Sequence, residues 1–598
     1  MSEQLLKSDF EVYTDARWLD AVASALKGAG LETLNSEEPG GMSRQPLYRE
    51  IDVKMSADNS GTPGQFPFIR GSSHTPQAFL PWQIAQRFTP DRKGNDNRAI
   101  LIDLAGGTSA LVIDLSTGAK LDDTQAAKLL GGVLLDIAPI SFLPGYQVEQ
   151  TQDILNNAWA SQKLEKEACK AYLNADPIGT AALNGKAPQN IAFKELFDWA
   201  SDKQNVTLLC ANGQIYHAAG ASEGQELGFM IATLVDYLRS GISEGLTAEE
   251  LASRTTLAIA AEADFFATIA KIRAARLLWA QVFAEFNVKT AAPFVMAETS
   301  ERCFSTVDPW VNILRATIST LAAGIGGADL ITVAPCTSVS EGDNDLTQRI
   351  ARNTQIILQE ESHIGKVMDP AGGAWFIEKL TRDLATQGWN IFQNIETQGG
   401  MAQAVATGYI DKLIAPIRAE RQRKIDKRDI ALIGASEFPN LDEPPIKARK
   451  ANGNGDLSEH RVAETIEALR RTAEPVKPKT YLAAIGTAAR STPRINFAAN
   501  LYAIAGIHGI VGNGGTDIDA IVSDFKKSGA KIACLCGSDG DYDTHAEALA
   551  QALLKAGATH IALAGKQQDI VGIDTYCFAG CDTILFAKTV HKKLGLGE

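Results

Sequence analysis

The feature that most constrains this 598-residue chain is a repeat of texture. From about residue 51 to 425, short apolar runs with few charges end in Gly, Asn or Pro and alternate with long helical patterns. "RAILIDLAG" (98–106), "ALVIDL" (110–115), "VTLLCANG" (206–213) and "ADLITVAP" (328–335) are such runs. Runs of this kind suit strands buried on both faces of a parallel sheet. The longest helical pattern, "ADFFATIAKIRAARLLWAQVFAEF" (263–286), repeats Phe265, Ile269, Ile272, Trp279, Phe283 and Phe286 three or four residues apart. Its Lys271, Arg273 and Arg276 read as solvated flanks or salt bridges in preference to a phosphate patch. Roughly eight strand–helix units over this length predict a (β/α)8 TIM barrel with insertions.

Three other segments surround the barrel. Residues 1–50 read as an N-terminal arm: Trp18, Val22 and Leu26 share a helical stripe, Asp15 is a cap candidate and Gly28 a stop. Residues 426–476 read as an interdomain linker that crosses the surface, because 436–460 is rich in Pro, Gly, Asn and charge. A helix over about 459–472 ends it. Residues 477–598 carry strands at 480–485, 531–536 and 560–565, with further candidates at 506–512 and 575–580. They predict a flavodoxin-like, doubly wound α/β domain. In such a sheet a ligand sits at the carboxyl ends of the strands. The loop there, expected over Gly486–Arg494 ahead of a helix at 495–504, offers Thr487, Arg490, Ser491, Thr492 and Pro493. "GNGG" (512–515) reads as a turn, since the G-x-G-x-x-G register is missing.

Composition narrows the function. A net charge of −14 argues against a general nucleic-acid binder. Eight scattered cysteines do not make a secreted disulfide framework. A zinc site from Cys534, Cys536, Cys577 and Cys581 is conceivable, but the first two share one face of an apolar strand, so no metal is expected. No targeting signal and no stretch of about 18 apolar residues stands out. The expectation is a cytoplasmic protein without a membrane span.

Several stretches together are specific. "PLYRE" (46–50), "PFIRGSS" (67–73), "TIAKIRAARLLWA" (268–280), "DPWVNILRATISTLAAGIGGAD" (308–329) and "RIARNTQIILQEESHIGKVMDPAGGAWFIEKLT" (349–381) resemble the methylmalonyl-CoA mutase family over nearly the whole chain. Catalytic members of that family interconvert succinyl-CoA and methylmalonyl-CoA with adenosylcobalamin. The resemblance implies acyl-CoA along the barrel axis and cobalamin on the C-terminal domain.

The family's functional positions are substituted in this sequence. The cobalt-ligand motif Asp-x-His-x-x-Gly falls, without gaps, on Ala488, Arg490 and Pro493. Arginine stays protonated and has no lone pair for cobalt. The rest of the cobalamin pocket falls on Ser538, followed by Asp539 and Asp541, and on Ala564–Gly565. The catalytic Tyr falls on Arg87 in "WQIAQR", where Trp82 and Gln86 match and Ala85 replaces an Arg. An Arg-Gly-Pro-Tyr stretch is reduced to Arg70, Gly71, Ser72 and Ser73. The catalytic His, before Ala219-Gly220-Ala221, falls on Ile215, with Tyr216 and His217 close by. His508 reads as structural or surface. The resemblance therefore implies a small (beta) subunit of a heterodimeric mutase. It would hold no cofactor itself and support a large (alpha) subunit that binds adenosylcobalamin and the acyl-CoA, with the arm wrapping that partner. The alternatives are an active mutase with a relocated cobalamin ligand, and a binding module for another ligand or protein, for which Arg490 and Arg494 are the sequence support.

Overall fold

The computed structural model describes residues 14–53, 60–75, 79–90, 96–116, 121–145, 148–189, 191–341, 345–443, 446–453, 455 and 457–596. A short antiparallel hairpin, β1 (Ser36–Glu38) and β2 (Met42–Arg44), precedes the barrel. The barrel strands are β3 (Gln83–Phe88), β4 (Ala110–Ile113), β5 (Ile140–Phe142), β6 (Lys170–Ala175), β7 (Asn205–Asn212), β8 (Thr255–Ala261), β9 (Phe294–Thr299) and β10 (Leu330–Thr332). All pair in parallel, and β10 returns to β3 to close an eight-stranded barrel. The last domain has β11 (Lys479–Ala484), β12 (His508–Val511), β13 (Ile532–Cys536), β14 (His560–Ala564) and β15 (Thr575–Cys577). Their order, β12-β11-β13-β14-β15, is all parallel and is the flavodoxin-like arrangement.

Local expectations hold unevenly. Residues 98–106 are not a strand but part of the helix Asp96–Ala105. Ile100 and Asp103 are buried while Ile102 is 54% exposed, a three-to-four spacing that a short apolar run does not reveal. The expected loop Gly486–Arg494 is mostly helix: Thr487 is the N-cap and the helix runs Ala488–Ile504 with Pro493 inside it. Thr14 caps the arm helix Asp15–Ala25, and Asp15 is its first residue. On the helix Phe265–Ala284, Lys271, Arg273 and Arg276 are buried, not solvated. Each is paired: Lys271 with Glu226 at 2.5 Å, Arg273 with Glu378 at 2.8 Å, Arg276 with Asp329 at 2.8 Å.

The arm divides in two. Its helix buries no residue, and the stripe of Trp18, Val22 and Leu26 stays half-buried. The hairpin is tied to the barrel through Arg44–Asp264 at 2.5 Å and a bond from Gln387 to the Gly40 carbonyl. The linker is packed as well. Ala448 bridges Ser340, the Arg449 amide donates to the Val339 carbonyl, and the amides of His460 and Val462 donate to Ala218 and Arg302. It therefore crosses the carboxyl ends of the barrel strands. Val462, Ala463, Ile466 and Leu469 then join one apolar core with Leu501, Ile504 and Val590 of the last domain.

Candidate functional site

Active sites of β/α barrels lie at the carboxyl ends of the strands. Here the linker divides that mouth into two cavities, both lined by Ser116 and Asn452. One, of about 520 Å³, lies over β3, β4, β9 and β10. In it Arg87, at the end of β3, pairs with Glu298 of β9 at 2.9 Å. Burial raises the Glu298 carboxyl pKa, and the Arg87 charge works against that rise. Arg449 of the linker pairs with Glu301 and, at 2.9 Å, with Glu459. The other cavity, of about 390 Å³, lies over β4 to β7 and is lined by Ile215 and by Asp176 at the end of β6.

Below the mouth the barrel axis is filled. Side chains on alternate strand positions point inward. Tyr172 stacks on Phe294 with ring centroids 4.8 Å apart, and Gln83 donates to the Tyr172 hydroxyl at 2.8 Å. Ala85, Ala110, Val112, Met296 and Leu330 form a buried cluster with Leu143 and these two rings. At the opposite, amino end of the barrel, Arg70, Gly71, Ser72 and Ser73 line a cavity of about 290 Å³. There Ser72 donates to Asp329 at 2.8 Å, Ser73 to the Thr75 carbonyl, and Arg70 lies 3.7 Å from Asp369. Trp82 is buried, its indole N–H bonded to Gln355 at 3.0 Å, and Gln86 donates to the Gln348 carbonyl.

Ile215 sits on the short helix Gln214–Ala218, and an apolar side chain there has no proton to give or take. His217, two residues on, is no substitute. It is 1% exposed, its Nε2 is 2.9 Å from Ser300 Oγ and its Nδ1 is 3.1 Å from Glu226. Burial, then the charges of Arg302 and Lys271, push its pKa down, so it is a neutral member of a buried ion network. Arg302 carries that network: it bonds Glu262, Glu223 and the Ala221 carbonyl. Arg421 donates to the Gly220 carbonyl. His217, Glu223 and Glu262 come close enough together to hold a metal ion. The Arg302 guanidinium, however, already supplies the positive charge to both carboxylates.

In the last domain the strand ends are occupied by the chain's own side chains. Ala488, Arg490 and Pro493 lie on the first two turns of one helix. Arg490 is exposed and lies 3.6 Å from Asp541. Arg494, one turn further, reaches across to the Ala564 carbonyl and pairs with Asp539 at 3.0 Å. Ser538 is the N-cap of the helix Asp539–Lys555, in a capping box with Asp541. The buried Tyr542 hydroxyl donates to the Ala564 carbonyl at 2.9 Å and accepts from the Gly537 amide. A β-carbon on Gly565 would lie 2.9 Å from Arg494, so the guanidinium is packed directly on that glycine. His508 opens β12 opposite Lys479, five residues before the end of β11, and so lies about 16 Å from the loop at the strand ends. Gly486 and Gly515 exchange two backbone bonds, an antiparallel bridge that ties the end of "GNGG" to the loop after β11 and is not a closed turn. Cys534, Cys536 and Cys577 are buried in the strands.

These residues do not fit a cobalamin. Arg490, at the ligand position, has no lone pair. Arg494 and Tyr542 take the volume beside Gly565. The sequence pointed to Arg87, Ile215 and Arg490. It gave no sign of Arg449, Tyr172, Phe294 or Asp176 as site residues. A charged residue closing an apolar strand, as Glu298 does in "FVMAET", was the available signal for its partner.

The methylmalonyl-CoA mutase family model matches residues 37–134 and 124–508. The methylmalonyl-CoA mutase small subunit of Streptomyces virginiae is 36% identical, over 99% of this chain and 98% of that protein. The small subunit of Propionibacterium freudenreichii subsp. shermanii is 33% identical over 99% and 97%. The methylmalonyl-CoA mutase of Rhizobium meliloti (strain 1021) is 27% identical over 76% of this chain and 68% of its own length. With barrel, flavodoxin-like domain and near full-length likeness in agreement, the chain belongs to the methylmalonyl-CoA mutase family.

Proposed function

We propose that this chain is the small, non-catalytic subunit of a heterodimeric, adenosylcobalamin-dependent methylmalonyl-CoA mutase. In this reading the large subunit binds the cobalamin and the acyl-CoA, and this chain supports its active conformation. The observation that carries the reading is Arg494, laid over Gly565 and bonded to the Ala564 carbonyl where the family places its cofactor. The stacked Tyr172 and Phe294 on the barrel axis support it, because an acyl-CoA threading that axis would meet them. The arm helix, whose stripe of Trp18, Val22 and Leu26 is only half-buried in this chain, supplies an apolar stripe for the partner. No helix among the described residues is long and apolar enough to cross a membrane.

The test is gel filtration of the purified chain with adenosylcobalamin, followed by visible absorbance. No cobalamin should co-elute. Co-expression with a homologous large chain should give a one-to-one complex that carries cobalamin and mutase activity. Stoichiometric cobalamin on the isolated chain would refute the reading.

A further inference from the structure

Asp176 is an anomaly among the buried acids of this protein. Glu226, Glu378 and Glu467 are each 2% exposed or less and each is paired with a lysine or arginine. Asp176, 1% exposed, pairs with no cation among the described residues. Its Oδ1 accepts from the Tyr237 hydroxyl at 2.5 Å and from the Gly179 amide at 3.0 Å. The titratable groups that face it are Tyr237, Tyr216 and Cys210, all neutral, with burial pushing their own pKa values up. Lys186 lines the same cavity, but it is exposed and lies beyond the far end of the helix Pro177–Asn184. Eight helical residues put about 12 Å between those ends.

Capping does not account for the charge. Asp176 is the N-cap of that helix, and an asparagine would accept the same bonds equally well. A buried carboxylate without a counter-charge is expensive. The cost shows in Asp176 itself: burial outweighs the two hydrogen bonds and raises its pKa to about 7. The group also lines a cavity of about 390 Å³ at the carboxyl end of a barrel strand, where barrel enzymes bind their ligands. The walls are mixed: Leu143, Leu183 and Ile215 are apolar, and Asn212 and Thr180 are polar.

We propose that this cavity binds a small aliphatic amine, its ammonium paired with Asp176 and its tail lying against Leu143, Leu183 and Ile215. An ammonium supplies the one thing the site lacks, a positive charge beside a buried carboxylate. A carboxylate-bearing acyl group is disfavoured there for the same reason. The inference stands apart from the subunit reading, since it rests on β6 and the cavity and not on the partner.

The probes are hexylamine and 1-hexanol, matched in tail and differing in charge, titrated calorimetrically into the full-length chain. At pH 8 hexylamine should bind at least tenfold more tightly than hexanol. With the carboxyl titrating near 7, about nine-tenths is ionised at pH 8 and one-tenth at pH 6, so amine affinity should fall about tenfold between them. Asp176→Asn keeps the cap and should melt like the parent while losing the preference for amine. Ile215→Trp, packed against the turn of Asp176 and Gly179, fills the cavity and should abolish binding. Equal affinity for the two probes, no amine binding at millimolar concentration, or undiminished amine binding in either variant would overturn the proposal and leave Asp176 a helix cap.

Discussion

Replacing Glu226 by glutamine tests whether the buried ion network holds the barrel together. Glu226 is fully buried between helix and strand: Oε2 is 2.5 Å from Lys271 Nζ and Oε1 accepts from the Ala260 amide at 2.7 Å. Lys271 is 1% exposed and pairs with no second carboxylate among the described residues. Glutamine preserves shape and can keep the amide bond, but it leaves the ammonium uncompensated. Breaking a buried pair in this way costs about 3–5 kcal/mol. A second route gives a similar size. Burial alone would raise the Glu226 pKa, yet Lys271 and then His217 hold it at about 2, against 4.5 in the unfolded chain. At 1.36 kcal/mol per unit that is roughly 3 kcal/mol. Because the folded value is the lower one, this stability is present above pH 4.5 and is lost as pH falls toward 2. At about 2.1 cal/mol/K per residue, a barrel of about 370 residues unfolds with an entropy near 0.8 kcal/mol/K. Glu226→Gln should therefore lower the barrel's melting temperature by about 4–6 °C at pH 7, measured by calorimetry. The double variant Glu226→Gln, Lys271→Met removes both charges and should recover most of the loss. A single-variant shift below 1 °C, or a double variant no better than the single, would refute the reasoning.

Restoring the family motif on the last domain, with Ala488→Asp, Arg490→His and Pro493→Gly together, should not restore cobalamin binding by gel filtration, because Arg494 and Tyr542 still fill the strand ends. Cobalamin retained by that triple variant would show that the three substitutions alone abolish the site. Arg87→Ala should cost about 1–3 kcal/mol, less than a fully buried pair, because Arg87 and Glu298 keep 29% and 20% side-chain exposure. The acid left behind has its pKa raised further, so the melting deficit should shrink as pH is lowered from 8 to 5; a deficit constant with pH would count against the pair.

The architecture was legible because parallel strands buried on both faces leave a direct trace, uncharged apolar runs closed by turn residues. The same trace misled at residues 98–106, where a two-sided apolar run is a helix whose outer face, Ile102, is exposed. The strand-end helix at 488 was hidden by Pro493, a residue that normally breaks a helix interior. Here Ser491 and Thr492 return side-chain bonds to the Thr487 and Ala488 carbonyls within those first turns. The charges of the helix at 265–284 were read as surface because burial of Lys271 and Arg273 depends on acids 45 and 105 residues away. No local pattern carries such a pairing. Loss of the ligand motif was readable one residue at a time; what replaced the ligand was not.

That replacement is chemically consistent at both ends of the molecule. An apolar substitution at the old positions would have left a cavity, and a lone charge would have left an unpaired ion. Neither is found at the two most altered points. Arg87 meets Glu298, Arg490 lies 3.6 Å from Asp541, and the neighbouring Arg494 meets Asp539 and a backbone carbonyl, so each of these cations has a partner. The barrel axis was filled with rings and methyl groups, whose burial stabilises by about 25 cal/mol per Å² of apolar surface. A channel that must admit a ligand cannot use that term, because its walls stay solvated. On the proposed reading, filling the barrel axis and the strand ends of the last domain converts binding surface into packing and ion pairs within the chain, which is what a supporting subunit requires. Asp176 breaks the pattern: it is buried, lies at a strand end and has no counter-charge among the described residues. Burial already raises that carboxyl's pKa to about 7 in place of a counter-charge, and the ammonium of a bound amine would hold it ionised.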